Sequence, residues 1–461
     1  MNALELVNAF TRKKLSPVEA LDAVLARVEE VNPRINAIVT LTADAAVESA
    51  KKAEAVYMRG EARELEGVPL TVKDLIPVKG VRCTFGSLFY EDFVPDVDAV
   101  VVERMKDAGA VIIGKTNTPE FGLVAITDNR VFGPARNPWD TSKTPGGSSG
   151  GAASALAAGL SPIALGNDGG GSIRIPSSLC GTFGLKPQYG RVPSWPHITP
   201  NYVTLNCEGP MTRSVADAAL MMDVLAGPDE RDRTSLPARE GSYLSSIGGS
   251  MKGVKIAYTD AISPVVESEV ASIAAAAAQV FAGMGCEVTG DAPDIPDLSE
   301  DLTKLVVLET AAANEDRMDQ VDKLFPPYQP FMELPQFLSP LDAVKAYFHR
   351  EEFWERLWPF FEQYDLLLTP TTTCAAFDIK ENQLGPDEVN GVPVTPASWA
   401  SYTFPFNFSG QPAASVPCGF TGSGLPVGLQ IVGGRYREDL VLKAAAAFEE
   451  ARPWAESRPS I

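Results

Sequence analysis

The sequence predicts an α/β fold in which one large β-sheet is covered on both faces by α-helices. Short apolar runs alternate along the chain with longer segments whose apolar residues recur at helical spacing. An alternation of strands and helices of this kind indicates a sheet with helices packed on both sides. The hydrophobic fraction of 45% is typical of a folded globular protein, and no internal repeat is apparent.

The N-terminal region, residues 1–60, is predicted to be helical. Ser16 and Pro17 begin one helix there, because serine is a preferred N-cap and proline is favoured at the first helical position. Leu21 and Val28 then fall on one face of that helix.

Apolar runs predict the strands of the sheet. The segment 67–74 alternates between apolar and polar residues, which is typical of a strand. Further strands are predicted at 111–113, 162–165, 254–258, 366–368, 415–417 and 427–432, and helices at 97–108 and 270–284. Segment 227–242 is polar and contains proline and glycine, so we expect a linker or a surface crossing. Segment 324–331 is rich in proline and aromatic residues, and we expect an irregular loop there.

Composition and charge exclude several classes of protein. The 461 residues carry a formal net charge of −20, which disfavours direct binding to nucleic acid. The six cysteines are far apart and include no CxxC, which fits a reducing compartment. Residues 1–15 lack the apolar core of a secretion signal, and the apolar stretch 152–165 is interrupted by Gly159 and Pro162. We therefore expect a cytoplasmic protein that does not insert into a membrane.

Histidine is scarce in this chain, and its scarcity limits the catalytic options. The two histidines are His197, in a loop next to proline, and His349, in a charged helical run. We expect surface or capping roles for both. A catalytic base, if there is one, is then expected to be another residue type.

Two motif matches have the wrong structural context. Residues 109–116 match GxxxxGK[ST], but the four middle residues are themselves a predicted strand, whereas a phosphate-binding loop must follow a strand and precede a helix. Residues 146–150 match GxSxG, but a predicted loop precedes them and few histidines are available to complete a triad. Neither match predicts function here.

Two clusters of glycine and serine, at 146–151 and 168–174, indicate chemistry instead. In the second cluster, three glycines follow a predicted strand and lead into Ser172 at a helix start. Such a loop presents backbone N–H groups where negative charge could develop, and Ser172 is placed as a nucleophile. For one isolated cluster, a tight turn with an N-cap serine remains the alternative.

A serine nucleophile needs a base, and Lys73 is the candidate. It lies at the end of a predicted strand, where burial could keep it neutral. Lowering a lysine pKa from about 10.4 to about 7.5 costs roughly 4 kcal/mol, which burial can supply. A second serine could carry the proton between this lysine and the nucleophile.

The segments around Lys73, Ser148 and Ser172 resemble the amidase signature family. The resemblance rests on residues 70–74, 146–151 and 168–187, with further similar segments at 114–122, 367–371, 410–417 and 425–433. It implies one amidase domain over 1–461, built around a large mixed β-sheet covered on both faces by α-helices. Its expected parts are an N-terminal helical part (1–62), a signature core (63–235) and a C-terminal part that completes the sheet and pocket (236–461).

The resemblance also implies roles for individual residues. Ser172 would be the nucleophile, Ser148 a bridging serine that follows a cis peptide bond, and Lys73 the general base. The implied oxyanion hole consists of the backbone N–H groups of Gly169, Gly170, Gly171 and Ser172. The residues implied to lie beside the substrate are Phe121, Gly122 and Ser149, although a structural role is also open for Ser149.

The sequence departs from the common family pattern at three positions. Asn167 stands where threonine or serine is frequent, Ser177 where alanine is common, and Gln188 where threonine or serine usually follows the Lys-Pro pair. None of the three is an implied catalytic residue. These departures could alter the packing behind the oxyanion loop.

The implied activity is hydrolysis of a carboxylic amide through a seryl acyl-enzyme, without metal or organic cofactor. The alternatives are the glutamine-amidase subunit of a tRNA-dependent amidotransferase and a binding protein that has kept the fold. Aromatic residues of the expected specificity region suit apolar or aromatic amides, anilides, esters or carbamates; they are Phe325, Tyr328, Phe331, Phe404 and Phe406. The expected partner is a small amide-type substrate, and a homodimer is left open.

Overall fold

The structure is a computed structural model that describes residues 1–197 and 204–461. Its helices are α1 (Ala3–Thr11), α2 (Pro17–Ile35), α3 (Ala43–Arg59), α4 (Val100–Asp107), α5 (Gly150–Ala157), α6 (Arg174–Cys180), α7 (Val215–Leu225), α8 (Tyr243–Ser246), α9 (Ser268–Gly283), α10 (Ser299–Ala313), α11 (Gln329–Glu333), α12 (Pro340–Leu357), α13 (Phe360–Gln363), α14 (Pro405–Phe408) and α15 (Glu438–Ala451). None of the helices in the described part of the chain has the length and apolar composition needed to cross a bilayer.

The strands are β1 (Ile38–Leu41), β2 (Pro69–Lys73), β3 (Val111–Thr116), β4 (Ile163–Asp168), β5 (Phe183–Lys186), β6 (Cys207–Thr212), β7 (Lys255–Tyr258), β8 (Glu287–Thr289), β9 (Leu366–Pro370), β10 (Glu388–Val389), β11 (Val392–Pro393), β12 (Ala413–Phe420) and β13 (Pro426–Gly433). Eleven of them form one sheet in the order β1-β3-β2-β4-β6-β5-β12-β13-β9-β7-β8. The pairs β2–β3, β2–β4, β7–β8 and β7–β9 are parallel and the remaining pairs are antiparallel, so the sheet is mixed. The α/β prediction is confirmed.

Local sequence explains where the predicted helices begin. Ser16 caps α2, because its hydroxyl accepts the Glu19 N–H at 3.1 Å while the Glu19 carboxylate accepts the Ser16 N–H at 2.8 Å. This reciprocal pair satisfies two of the amide groups that a helix N-terminus leaves unpaired. The predicted helices at 97–108 and 270–284 correspond to α4 and α9.

Two local predictions were wrong. Residues 1–60 are not entirely helical, because β1 lies between α2 and α3 and pairs with β3 at one edge of the sheet. The segment 324–331 is not an irregular loop. It contains a 3₁₀ turn, Pro326–Tyr328, followed by α11, and prolines occupy the first helical positions where their missing N–H costs nothing. The segment 227–242, expected to be a linker or a surface crossing, contains no helix or strand.

Separate apolar clusters cover the two faces of the sheet and hold the helices there. On one face, residues of α4, α7, α9 and α15 pack against Leu70 and Val72 of β2 and the inward residues of β12 and β13. On the other face, α2 and α3 pack on Val111 and Ile113, while α5 and α6 pack on Ala164. This two-sided cover leaves the ends of the strands as the place where polar side chains meet.

Candidate active site

Lys73 and Ser148 meet at the edge of the sheet where β2 and β4 end. Lys73 is the last residue of β2 and is fully buried. Its Nζ lies 2.7 Å from Ser148 Oγ and 2.6 Å from Asn167 Oδ1, near the end of β4. Because β2 and β4 are parallel, their carboxyl ends reach the same edge. The sequence separates these residues widely, and the sheet brings them together.

Burial controls the protonation of Lys73. Removal from water disfavours the ammonium form and lowers the pKa of Lys73 well below its usual value, while the negative charge of Asp168 opposes this shift. A neutral amine within hydrogen-bond distance of a serine hydroxyl can accept its proton. The arrangement therefore meets the geometric requirement for a general base.

The first glycine–serine cluster begins α5. The peptide bond between Gly147 and Ser148 is cis, as the family resemblance implied. The Ser149 N–H donates to the Ser172 carbonyl at 3.1 Å, so the two clusters are in direct backbone contact. The Ser149 hydroxyl donates to the Asn167 carbonyl at 3.2 Å. The Ser149 side chain thus contacts β4, and contact of Ser149 with a substrate stays a prediction.

The second cluster wraps around the carboxylate of Asp168. The Gly171 N–H donates to Asp168 Oδ1 at 2.7 Å, and the Ile173 N–H donates to Asp168 Oδ2 at 3.1 Å. Gly171 has a φ of +131°, and a Cβ atom there would clash with Thr403 Oγ1, so only glycine fits. This differs from the expected oxyanion hole, because one of its four donors, Gly171, is occupied by Asp168.

Among the described residues, no protein acceptor is paired with the N–H groups of Gly169, Gly170 or Ser172. Gly170 and Ser172 also line a cavity, and Ser172 is 6% exposed. Three of the four expected donors are thus available, and their role stays a prediction.

A buried arginine, Arg174, stabilises the loop of the second cluster through hydrogen bonds and an ion pair. Arg174 donates to Asp168 Oδ1 at 2.8 Å and also to Gln430, to Asn407 and to the Thr403 carbonyl. Burial alone raises the pKa of Asp168, but the adjacent guanidinium lowers it, and the net direction is downward. Neither Arg174 nor its partners were predicted from the sequence. The one available signal was a charged residue inside a motif of small residues, which must be paired if it is buried.

An apolar cavity of about 550 Å³ opens beside Ser172. It is built from segments distant in sequence. Besides Ser172, its lining comprises Gly122, Leu123, Val124, Ala125, Gly170, Ile175, Ser299, Glu300, Leu302, Thr303, Lys304, Val306, Val307, Tyr328, Phe331, Met332, Leu334, Leu338, Thr395, Pro396, Ala397, Ala400 and Phe404. Its volume and predominantly apolar walls are typical of a small-molecule site.

The predicted pocket residues divide into two groups. Gly122, Tyr328, Phe331 and Phe404 line the cavity. In the described structure, Phe121, Phe325 and Phe406 are buried outside its lining. The Phe121 ring instead packs in an aromatic cluster with Phe89 and Tyr90. Sequence composition could indicate an apolar region, but it could not tell which rings face the cavity.

The structure shows that the GxxxxGK[ST] match at 109–116 is not a phosphate-binding loop. Val111–Thr116 is strand β3, and the Lys115 ammonium lies 3.1 Å from the Asp74 carboxylate in the interior, so it is not available to a phosphate. His349 on α12 pairs with Asp301 at 3.0 Å. Among residues 1–197 and 204–461, no group of three or more potential metal ligands is arranged around a common point.

Comparison with known proteins assigns the class. A family model described as "Amidase" matches residues 19–442. The chain belongs to the amidase signature family and is an amidohydrolase.

Individual relatives extend this similarity over the whole chain. An acylamidase of Rhodococcus erythropolis is 38% identical, over 100% of this chain and 97% of its own length. A glutamyl-tRNA(Gln) amidotransferase subunit of Moorella thermoacetica is also 38% identical, over 100% of this chain and 98% of its own length. The crystal structure of a bacterial aryl acylamidase superposes with a TM-score of 0.93 at 33% identity, covering 99% of this chain and 97% of that one.

Proposed function

We propose that this protein hydrolyses linear carboxylic amides with apolar or aromatic groups through an acyl-enzyme on Ser172. The observation that carries the proposal is the contact between buried Lys73 and Ser148, next to a serine that lines an apolar cavity. Burial lowers the pKa of Lys73, which favours a neutral amine that can act as base. Similarity to acylamidases supports the same reaction class.

In the proposed acylation step, Ser172 Oγ attacks the amide carbon. The Ser172 proton passes to Ser148 Oγ, and the Ser148 proton passes to Lys73 Nζ. The N–H groups of Gly169, Gly170 and Ser172 would donate to the oxyanion that develops on the substrate oxygen. When the C–N bond breaks, the leaving amine takes a proton from Ser148, which regains one from Lys73.

Water then completes the cycle through the same proton relay. It attacks the acyl ester of Ser172 and gives a proton to Ser148, which passes its own proton to Lys73. When the ester bond breaks, Lys73 returns a proton through Ser148 to Ser172 Oγ, and a carboxylic acid is released. The sequence of steps uses side chains, backbone N–H groups and water. The same carbonyl chemistry extends the proposal to anilides, esters and carbamates, among which the shape of the cavity would select.

The test is hydrolysis by the purified protein of a panel of acyl anilides, primary amides and aryl carbamates. We expect activity on apolar acyl anilides, and we expect Ser172→Ala to abolish it. Ser161→Ala serves as the matched control, because Ser161 is also a buried serine but lies outside the cavity lining and donates to the Ile163 carbonyl. Unchanged hydrolysis by Ser172→Ala would refute the acyl-enzyme.

The second candidate is the glutaminase subunit of a tRNA-dependent amidotransferase, which similarity to the Moorella thermoacetica protein favours. Glutamine is polar, whereas Leu302, Val306 and Phe331 give the cavity apolar walls. We therefore expect the isolated protein to hydrolyse an anilide as a free monomer or homodimer on a sizing column. Glutamine hydrolysis that exceeds anilide hydrolysis would reverse this order of preference.

A further inference from the structure

Lys73 has a second partner whose chemistry the proposed relay does not use. Its Nζ lies 2.6 Å from Asn167 Oδ1, as close as it lies to Ser148 Oγ at 2.7 Å. Asn167 is 3% exposed and does not line the cavity among the described residues. The contact is therefore internal to the protein, and a substrate would not meet it.

We propose that Asn167 is a positioning residue for the base: its carbonyl oxygen accepts an N–H of Lys73 and thereby directs the lone pair of the amine toward Ser148. This inference rests on the proposed function. A neutral amine has two N–H groups and one lone pair, and an amide oxygen can only accept. One N–H engaged by Asn167 leaves the amine one N–H and its lone pair, and rotation about this hydrogen bond brings the lone pair to the Ser148 hydroxyl.

The carboxylates Asp74 and Asp168 near Lys73 are paired with other cations, so the N–H of Lys73 is accepted by a neutral side chain. The ionisable residues on β3 to β6 and directly after β2 are Asp74, Lys115, Asp168, Lys186, Cys207 and Glu208. Burial raises the pKa of Cys207 to about 11, so its thiol is neutral at pH 7. Asp74 is paired with Lys115 at 3.1 Å, and Asp168 is paired with Arg174 at 2.8 Å. Each of these carboxylates has its own cation. α5, which packs on the same edge, carries no ionisable side chain.

Glu208 is the remaining buried acid near this point. It lies on β6 opposite Asn167 in the strand register, and it accepts a hydrogen bond from the Ser194 hydroxyl at 3.3 Å. Burial raises the pKa of Glu208 to about 8, so it is largely neutral at pH 7. Asn167 is thus the acceptor that contacts the amine directly while adding no charge.

A fixed neutral acceptor has a measurable consequence for the base. It stabilises the ammonium form moderately, which keeps the amine basic enough to accept a proton, but less than a carboxylate would. The acid limb of the pH profile is the rise of kcat/KM with pH as Lys73 loses its proton. A negative charge at position 167 should move this limb to higher pH, and loss of the acceptor should move it to lower pH. A purely structural role would lower activity by the same factor at every pH.

The experiment compares the pH profile of anilide hydrolysis in three variants. Asn167→Asp places a negative charge beside the amine, and we expect the acid limb to move up by about one pH unit or more. Asn167→Leu removes the acceptor at similar size. We expect its limb to move down by about one to two units, with a drop in kcat of about tenfold or more and little change in KM. Asn167→Ser, whose oxygen ends one bond short, should behave like Asn167→Leu.

Thr71→Val is the matched control. Thr71 is fully buried on the same strand as Lys73, and among the described residues its hydroxyl has no hydrogen-bond partner. We expect its acid limb to coincide with that of the wild type. If any variant at position 167 that retains the wild-type circular dichroism also retains the wild-type limb, the positioning role is refuted.

Failure of the underlying function gives a different result. If Lys73→Ala keeps the wild-type rate, the proton relay through Ser148 to Lys73 is wrong, and the positioning role of Asn167 is then wrong as well. If Lys73→Ala is inactive while Asn167→Asp and Asn167→Leu keep the wild-type limb, the relay stands and only the positioning role is wrong.

Discussion

At the residue scale, burial determines the chemistry of Lys73. Its pKa is lowered well below the usual value, so kcat/KM should rise from acid pH to a plateau with a midpoint well below 10. Lys73→Ala should lower kcat by about 10²- to 10⁴-fold, the range for loss of a general base. Steady-state rates on an anilide between pH 5 and 10 measure both effects. A profile that is flat over this range would contradict a lysine base.

A second residue-scale prediction concerns Glu120, which ties the loop at Gly122 to the segment that begins at Phe325. Burial raises the pKa of Glu120 to about 7, although the Phe325 N–H, 2.6 Å from its carboxylate, and the Ser87 hydroxyl oppose the shift. The folded state therefore keeps a proton that the unfolded chain releases near pH 4.5. This contribution to stability is complete below pH 4.5 and is lost as pH rises through 7.

Glu120→Gln should remove this pH dependence. The free energy of unfolding of the wild type, relative to the variant, should fall by about 3 kcal/mol between pH 4 and pH 8. Urea unfolding at pH 4, 6 and 8 measures the difference. Glu351→Gln, at an exposed position of α12, is the control and should follow the wild type at each pH. Parallel curves for Glu120→Gln and the wild type would show that the carboxyl does not titrate in this way.

At the scale of elements, the turn from β4 to α6 depends on one buried ion pair. Asp168 binds the Gly171 and Ile173 amides and pairs with Arg174, so the loop, the helix start and the ion pair form one unit. Breaking a buried pair leaves an uncompensated charge. Asp168→Asn should therefore lower the free energy of unfolding by about 3–5 kcal/mol and reduce kcat.

The control for this prediction is a surface pair. Glu48→Gln, which removes the exposed partner of Lys51, should change the free energy of unfolding by less than about 1 kcal/mol. The double variant Asp168→Asn/Arg174→Met should recover part of the stability lost in Asp168→Asn, because it removes the unpaired guanidinium. Chemical denaturation of the three variants gives these values, and equal losses in the single and double variants would argue against the ion pair as the cause.

At the scale of the whole molecule, substrate preference depends on a cavity that several distant segments form. Val307 of α10 lies in its wall and is 3% exposed. Val307→Phe should fill part of the cavity and raise KM for a long-chain acyl anilide by about tenfold or more, with a smaller effect on the acetyl anilide. Val344→Phe makes the same change on α12 outside the lining and should leave both KM values unchanged. Equal effects of Val307→Phe on both substrates would contradict an acyl-binding role.

The periodicity of apolar residues was sufficient to predict the α/β class and most of the central strands, because strands buried between two helical layers must be apolar. β1 was missed because it is a short edge strand within a helical region, where the pattern Ile38–Leu41 is too short to distinguish from a helix end. The proline content of 324–331 does not distinguish a loop from a helix start, because proline is common in loops and is also favoured at the first helical positions, where Pro326 and Pro330 lie.

By itself, the sequence predicted the candidate catalytic residues: it has two histidines, a lysine at the end of the predicted strand 67–74 and two glycine–serine clusters, and these motifs resemble those of one family. Only the tertiary structure decided how they meet. The contact between Lys73 and Asn167, the use of Gly171 by Asp168, and the rings that face the cavity all depend on strands adjacent in the sheet but distant in the chain. Spacing along the sequence contains no information on such neighbours, because the order of strands in the sheet is set by packing of the whole molecule.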